Sequence, residues 1–189
     1  MIGTHNSFSY LKPKNFIGKI FNFVSKCQDK DIYKQISKSR CIDLRVAFTD
    51  KGKIQLRHGL TIYHNDARDL IKEVLEYCNY HADDFYVRVI LEKLNNNTYN
   101  FLLFQKFCDT IKKKFPNIIF IGGRYKKTWV LVYNFGNDIN DTKVEQYVSS
   151  MQHDAKWYEK ICPRLYAKRM NVENILSADI EKINLFDFV

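Results

Sequence analysis

The sequence predicts an α/β fold in which mostly parallel strands alternate with helices. Short runs rich in Val, Ile and Phe, such as 41–48 and 85–91, are followed by longer segments with helical periodicity, such as 65–81 and 98–114. Strands that alternate with helices form parallel sheets with crossover connections. We therefore expect one domain over residues 1–189, built as a TIM-type β/α barrel that is small or distorted, and either closed or incomplete. An open sheet is the alternative.

The individual elements follow from their hydrophobic patterns and turn residues. We predict strands over residues 2–4, 41–48, 54–57, 85–91, 117–121, 129–133 and 183–189. We predict helices over residues 15–26, 31–38, 65–81, 98–114, 143–160 and near 171–182. The turns are predicted at residues 49–53 and 122–123.

The composition is that of a basic globular protein. The net charge is +9 and 46% of the residues are hydrophobic, which argues against a disordered chain and favours an anionic partner. No apolar run approaches the roughly 18 residues of a membrane span. An odd number of cysteines without close pairs indicates free thiols in a reducing compartment: Cys27, Cys41, Cys78, Cys108 and Cys162. We expect a cytoplasmic or peripheral membrane protein, or a secreted one if a leader has been removed.

Residues 15–26 carry an apolar stripe next to several lysines. Five apolar residues fall on one face of the predicted helix, which Asn15 can cap: Phe16, Ile17, Ile20, Phe21 and Val24. The flanking lysines are Lys12, Lys14, Lys19 and Lys26. One interpretation is a helix that packs against the core. The other is a basic, aromatic lip that touches an anionic membrane surface.

Charged side chains recur near the carboxyl ends of predicted strands. His5, Arg45, Glu92 and Asp187 each lie at or close to such an end, and in a β/α barrel this rim carries the active site. Asp43 shares a strand face with Arg45, because strand side chains repeat every two residues. Two buried charges are costly unless they are paired. We therefore expect this face to line a polar cavity.

Three motifs follow one another in the first third of the chain. They are Gly3-Thr4-His5-Asn6-Ser7, Cys41-Ile42-Asp43-Leu44-Arg45 and His58-Gly59. In this order and spacing they resemble the X region of phosphatidylinositol-specific phospholipase C, a family of bacterial enzymes and small eukaryotic X-domain proteins. The segment Leu185–Val189 resembles the family again. The resemblance implies a distorted β/α barrel that cleaves a phosphodiester.

The resemblance also implies roles for particular residues. The inositol 2-hydroxyl attacks phosphorus, diacylglycerol leaves and a cyclic phosphate forms. On the family pattern His5 is the general base, His58 the general acid, Asp187 the residue that orients His5, and Arg45 the cation that balances phosphoryl charge. We expect four further residues to contact the substrate: Asn6, Asp43, Glu92 and Lys93.

The family pattern leaves open whether the site binds a metal ion. Asn6, Asp43 and Glu92 match three ligand positions of the calcium-using eukaryotic relatives, and hard oxygen ligands suit Ca²⁺. Arg45, however, stands where those relatives have another acid and where the metal-free bacterial enzymes have arginine. We favour a site without a cofactor, with Ca²⁺ as the alternative.

Other functions are weighed against this one. The first alternative is an inactive or weakly active barrel that binds phosphoinositides, and the second is a glycerophosphodiesterase-like or sphingomyelinase D-like phosphodiesterase. Nucleic-acid binding rests on net charge alone and is disfavoured. The expected partners are a phospholipid or inositol-phosphate substrate and, transiently, a membrane surface. We expect a monomer.

Overall fold

The computed structural model describes residues 1–81, 84–92, 98–127, 130–133, 144–146 and 155–189. Lys93 lies outside these residues, as does part of the helix predicted over 143–160. None of the helices in these ranges combines the length and the apolar character needed to cross a bilayer.

The strands form one mixed sheet. They are β1 (Ile2–Thr4), β2 (Cys41–Phe48), β3 (Ile54–His58), β4 (Thr61–His64), β5 (Phe85–Leu91), β6 (Ile118–Lys127), β7 (Val130–Tyr133), β8 (Val144–Gln146) and β9 (Ile183–Phe186). The order is β7-β6-β5-β2-β1-β9-β8, with β3 and β4 attached to β2 as a hairpin arm. The strands from β6 to β8 along this path run parallel.

The sheet does not close into a full barrel. Within the described ranges, β7 and β8 stand at opposite ends of the strand order and no pairing joins them. The expectation of an α/β fold with a small, incomplete barrel is therefore confirmed.

Short and long helices connect the strands. They are a 3₁₀ helix (Ser7–Tyr10), α1 (Phe16–Ile20), α2 (Asn22–Ser25), α3 (Ile32–Ile36), α4 (Arg68–His81), α5 (Thr98–Lys114), α6 (Trp157–Ile161) and α7 (Pro163–Leu176). α4 buries Ile71, Val74, Leu75 and Cys78, a helical spacing that places them on one face. α4 and α5 are the crossovers that let β2, β5 and β6 run parallel.

Gly3 lets three strands approach closely beneath the site. β1 lies between β2 and β9, with Gly3 opposite Cys41 and Leu185. A side-chain carbon at Gly3 would come within 2.8 Å of atoms of both residues, which is closer than any van der Waals contact. The glycine thus brings the carboxyl end of β1 against its two neighbours.

The predicted helix over residues 15–26 is wrong in two respects. It is divided into α1 and α2, and although Asn15 occupies the N-cap position of α1, its side chain bonds the backbone of Leu60 and Ile62 and does not cap the helix. The apolar stripe is also exposed, with Phe16 at 76% and Leu60 beside it at 64%. The interpretation as a helix packed on the core is therefore wrong.

Four other element predictions need correction. The strand predicted over residues 183–189 ends at Phe186, so Asp187 follows β9. Residues 144–146 form β8 and not a helix, and only residues 157–161 near the end of that prediction are helical, as α6. The helix placed near 171–182 is α7, which ends at Leu176. Gly122–Gly123 is not a turn, since β6 continues through it to Lys127. The strand β4 and the 3₁₀ helix were not predicted.

Candidate active site

Four neighbouring parallel strands deliver the predicted site residues to one edge of the sheet. His5, Glu92 and Asp187 directly follow β1, β5 and β9, and Arg45 lies on β2 between them. The carboxyl ends of parallel strands meet at one rim, so residues distant in sequence become neighbours. This is where sequence analysis placed them.

The His5 imidazole is held between an acid and a cation. Its Nδ1 lies 2.6 Å from Oδ1 of the buried Asp187, and its Nε2 lies 2.6 Å from Nη2 of Arg45. A guanidinium can only donate, so Nε2 accepts and Nδ1–H donates to the carboxylate. The contacts therefore define one neutral tautomer, with its lone pair on Nε2.

Every nitrogen of the Arg45 guanidinium is engaged by a site residue. Nε donates to Asp43 Oδ2 at 2.9 Å and Nη1 donates to Glu92 Oε1 at 2.9 Å, while Nη2 reaches His5. Burial disfavours the charged guanidinium, but Asp43 and Glu92 more than compensate and raise the pKa of Arg45. The cation is thus permanently charged and held at the centre of the site.

Asp43 holds the Arg45 guanidinium in place through a direct ion pair. Its Oδ1 accepts from Arg88 Nη1 at 3.3 Å, and its Oδ2 accepts from Arg45 and from the backbone N–H of Asn6 at 3.0 Å. Burial raises the pKa of a carboxyl, but the two guanidinium groups outweigh it and hold the pKa of Asp43 well below its usual range. Asp43 is therefore an ionised, fully paired support for Arg45.

Asn6 turns the chain directly after His5. Its backbone is in the left-handed region, at φ 46° and ψ 57°, which asparagine tolerates better than most residues. This turn aims the Asn6 N–H at Asp43. The Asn6 side-chain nitrogen points away from that carboxylate, toward the carbonyl of Ser25 at 3.4 Å and the sulfur of Cys27 at 4.0 Å.

His58 reaches the site from the hairpin arm. It ends β3, and its ring centroid lies 6.1 Å from that of His5, with the rings nearly perpendicular. Its Nδ1 donates to the carbonyl of Ser25 at 2.9 Å, which leaves Nε2 for a ligand. Burial, with the Arg45 charge added, lowers the pKa of His58 to about 4.

Glu92 connects the hairpin arm to the sheet. One carboxylate oxygen accepts from Arg45 and the other accepts from the backbone N–H of Gly59 at 3.0 Å. Gly59 follows His58 directly and has a φ of 55°. Glu92 thus fixes the distance between the two histidines through a backbone contact.

The three residues considered for Ca²⁺ do not fit that ion in this arrangement. Calcium needs several converging oxygen ligands. Asp43 and Glu92 both bind the Arg45 guanidinium, so a cation already lies between them. The side-chain nitrogen of Asn6 binds Ser25, away from both carboxylates.

An apolar hollow of about 230 Å³ adjoins His58. Its walls include Ile17, Phe21 and Val24, which belong to the exposed apolar stripe, and Leu60 from the turn between β3 and β4. The polar site and the apolar surface are therefore continuous at the hairpin arm.

Arg88, Ser25 and Cys27 also belong to the site and were not predicted. Arg88 is the cross-strand neighbour of Asp43, and it is a lone charge in an otherwise apolar strand, so the same pairing argument that singled out Asp43 could have found it. Ser25 contributes a backbone carbonyl and Cys27 a thiol from the loop after α2. Neither contact leaves a signal in the sequence.

Two solved structures with a similar fold are bacterial phospholipases. The chain superposes on phosphatidylinositol-specific phospholipase C from Listeria monocytogenes with a TM-score of 0.66 at 14% identity, covering 100% of this chain and 87% of that one. The chain has the fold of these phospholipases. A double mutant of the S. aureus phosphatidylinositol-specific phospholipase C gives a TM-score of 0.58 at 13% identity, covering 100% and 84%.

Comparisons at the level of sequence found no match. No protein-family model matches the chain, and no curated protein matches it. At identities this low the structural likeness establishes the fold, and the chemistry must be argued from the site itself.

Proposed function

We propose that this protein is a phospholipase C-like phosphodiesterase that cleaves phosphatidylinositol-type phosphodiesters to a cyclic phosphate. The observation that carries the proposal is the arrangement of two imidazoles and one guanidinium at the rim. His5 has a defined tautomer, and His58 lies across from it. Arg45 bonds His5 directly and is close enough to lower the pKa of His58. The phospholipase fold supports the same assignment.

His5 is the general base of the proposed reaction. The Nε2 lone pair takes the proton of the inositol 2-hydroxyl as that oxygen bonds to phosphorus. Asp187 accepts from Nδ1–H throughout, so it keeps Nε2 the accepting atom and stabilises the imidazolium that forms.

His58 is the general acid. Its Nε2 gives a proton to the leaving diacylglycerol oxygen as the P–O bond breaks, so one proton is taken and one is returned. A pKa of about 4 in the free protein leaves this ring neutral at pH 7, which does not suit an acid. A bound anionic phosphodiester favours the imidazolium and raises the pKa of His58 toward neutrality.

Arg45 balances the charge that develops on the phosphoryl oxygens. Its Nη2 is the group that can turn from His5 to a substrate oxygen, while Nε and Nη1 stay on Asp43 and Glu92. A preorganised cation of this kind is worth several kcal/mol in the transition state, about 10²–10³ in rate. We propose that this guanidinium makes a metal ion unnecessary.

The apolar surface around α1 and α2 supports a lipid substrate. We propose that this patch, formed by Phe16, Ile17, Ile20, Phe21, Phe23, Val24 and Leu60, contacts a membrane transiently. Lys12, Lys14 and Lys19 line a hollow next to it. Apolar side chains flanked by lysines suit an anionic bilayer surface. A lipid drawn up from the bilayer would keep its acyl chains in the apolar hollow beside His58.

Phosphatidylinositol vesicles followed by ³¹P NMR test the proposal. Wild type should yield a cyclic phosphate, His5→Ala and His58→Ala should each lose turnover, and His64→Ala, a histidine outside the site, should retain it. An open phosphate as the first product would overturn the internal-attack mechanism. Vesicle binding without any turnover would favour the alternative of a barrel that binds phosphoinositides.

A further inference from the structure

We propose that His5, Cys27 and Asp187 form a site for a thiophilic divalent cation such as Zn²⁺ or Cd²⁺, and that its binding switches the candidate active site off. The proposed inhibition depends on the proposed function of this protein, whereas the proposed metal binding does not. One ligand atom from each of the three residues lies within 4.8 Å of the other two, and all three residues are buried.

Backbone contacts hold the three residues in place. The His5 N–H donates to the carbonyl of Phe186 at 2.9 Å, which ties His5 to the strand that ends before Asp187. The Phe188 N–H donates to the carbonyl of Cys27 at 2.7 Å, which ties the loop after α2 to the other side of Asp187. The ligands are thus placed by the fold and not by flexible surface side chains.

Gln28 strengthens the same connection. Its side-chain nitrogen donates to the carbonyls of His5 and Phe186, at 3.1 and 2.9 Å. The backbone N–H groups of Cys27 and Gln28 both donate to the hydroxyl of Ser9. Residues 27–28 therefore dock rigidly against the ends of β1 and β9.

The donor set selects a soft or borderline ion. One sulfur, one imidazole nitrogen and one carboxylate oxygen are ligands that Zn²⁺ accepts in tetrahedral geometry, whereas Ca²⁺ requires oxygen ligands alone. Zinc–ligand bonds of about 2.0–2.3 Å place ligand atoms roughly 3.4–3.6 Å apart. The three atoms reach this spacing if the 2.6 Å hydrogen bond between His5 and Asp187 opens and the thiol moves inward.

Charge balance also favours a divalent cation at this site. The thiolate is the form of Cys27 that binds a metal ion, so binding is coupled to loss of the thiol proton. The thiol proton leaves to solvent and the proton on His5 Nδ1 moves to Nε2, so one proton is released for each ion bound. A thiolate and a carboxylate then neutralise the two charges of the ion, which limits its repulsion by the nearby Arg45.

The metal and the proposed base exclude each other. Once Nδ1 binds a metal, the neutral imidazole carries its proton on Nε2 and can no longer accept the substrate proton. Nε2–H would also face the Nη2 donor of Arg45, so that hydrogen bond must break. Metal binding at Cys27 therefore removes both the orientation and the basicity of His5.

Cadmium titration of the purified full chain tests the binding directly. A thiolate bound to Cd²⁺ gives an ultraviolet charge-transfer absorption that does not depend on catalysis. We expect this absorption to saturate at one ion per chain, and Ca²⁺ to produce none. Cys27→Ser should weaken Cd²⁺ binding about 100-fold or more, since even losing a residue that only supports a ligand costs 10–100-fold. Cys27→Ala is the second variant, and circular dichroism confirms the fold of each.

Cys162→Ser is the matched control, because Cys162 is the half-buried thiol outside the site and the more accessible one to an added ion. Cys162→Ser should leave the Cd²⁺ absorption unchanged. Zn²⁺ should still inhibit Cys162→Ser, but it should inhibit Cys27→Ser and Cys27→Ala only weakly. Absorption that persists in both folded Cys27 variants, or that is lost in Cys162→Ser, overturns the site. Saturable absorption without loss of turnover overturns the proposed inhibition alone. A chain with no phosphodiesterase activity still reports the binding.

Discussion

Nη2 of Arg45 donates to Nε2 of His5 at 2.6 Å, so the resting protein occupies the lone pair that the proposed base needs. Asp43 and Glu92 hold the other two nitrogens of the guanidinium, and the charge cannot be removed by a change in pH. An anionic phosphoryl oxygen offers Nη2 a better acceptor than a neutral imidazole does. Substrate binding would therefore free the base and place the cation in one step.

The variant Asp187→Asn should show whether Asp187 acts by orienting the His5 ring or by stabilising the folded protein. A neutral amide at this position cannot stabilise an imidazolium, and it can present its N–H₂ to Nδ1, which would reverse the tautomer. We expect kcat to fall about 10²–10⁴-fold. Burial raises the pKa of the Asp187 carboxyl despite the opposing effect of His5, so a neutral side chain of the same shape should change the stability little.

Vesicle turnover and urea unfolding measure the two effects. A large rate loss with an unchanged urea midpoint supports the orienting role. A rate within about threefold of wild type, at unchanged stability, would show that His5 needs no partner on Nδ1.

Arg45→Lys should be severely impaired even though charge is conserved. An ammonium cannot reach Asp43, Glu92 and the substrate with the three directed bonds of the guanidinium. We expect kcat/KM to fall about 10²–10³-fold, while Arg68→Lys, at an exposed position on α4, should have no effect. A mild change in Arg45→Lys would count against direct phosphate contact.

Activity should persist when divalent ions are removed. Arg45 lies between the carboxylates that a calcium ion would need. We therefore expect the same turnover in a chelator such as EDTA as in its absence. Loss of activity in chelator that added Ca²⁺ restores would instead make Asp43 and Glu92 metal ligands.

Much of this site could be predicted from sequence because its residues lie at strand ends. His5, Arg45, Glu92 and Asp187 meet wherever four parallel strands are adjacent, and the spacing of strands and helices predicts such a sheet. Strand periodicity predicts that Asp43 and Arg45 share one strand face, and the structure adds that they pair directly. The engagement of Arg45 Nη2 with His5 does not, because it depends on side-chain angles that only the packed site determines.

The errors in element prediction also have physical causes. Residues 15–26 have the periodicity of a buried helix, but the same periodicity describes a surface that faces something other than the core. Val144–Gln146 is a short strand that pairs with β9, and three residues are too few to show an alternating pattern. Sequence periodicity does not report what a segment packs against, so it showed neither the exposure of the stripe nor the pairing of Val144–Gln146.

His58 should make the protein less stable as pH falls from about 6.5 to 4. The pKa of His58 is lowered to about 4 in the folded protein, whereas an unfolded histidine binds its proton near 6.5. Between these values the unfolded chain holds more protons, so acid favours unfolding, by up to ~3 kcal/mol in total. Urea unfolding at several pH values should show a shallower slope for His58→Asn. An identical slope in both proteins would mean that His58 is not buried as a neutral ring.

A bound anion should raise the pKa of His58. The free protein lowers it through burial and the positive charge of Arg45, and a phosphate at the site opposes both effects. We expect a rise of about one unit or more when inositol 1-phosphate is bound, measured by NMR titration of the ring. No change at saturating ligand would mean that the phosphate does not contact His58, and its role as general acid would fail.

The exposed patch on α1 and α2 should control vesicle binding but not chemistry. Phe16 and Ile20 lie four residues apart and share one helix face. Burying each side chain fully is worth on the order of 1.5–3 kcal/mol, so partial insertion of both predicts a loss of at least about tenfold in vesicle partitioning for Phe16→Ser with Ile20→Ser. Turnover of a short-chain soluble substrate should be unchanged, because neither residue touches the imidazoles. Tyr80→Ser removes an equally exposed aromatic from α4 and should not affect partitioning. A double variant that partitions like wild type, or a binding strength insensitive to salt, would rule out a basic, apolar membrane contact at this patch.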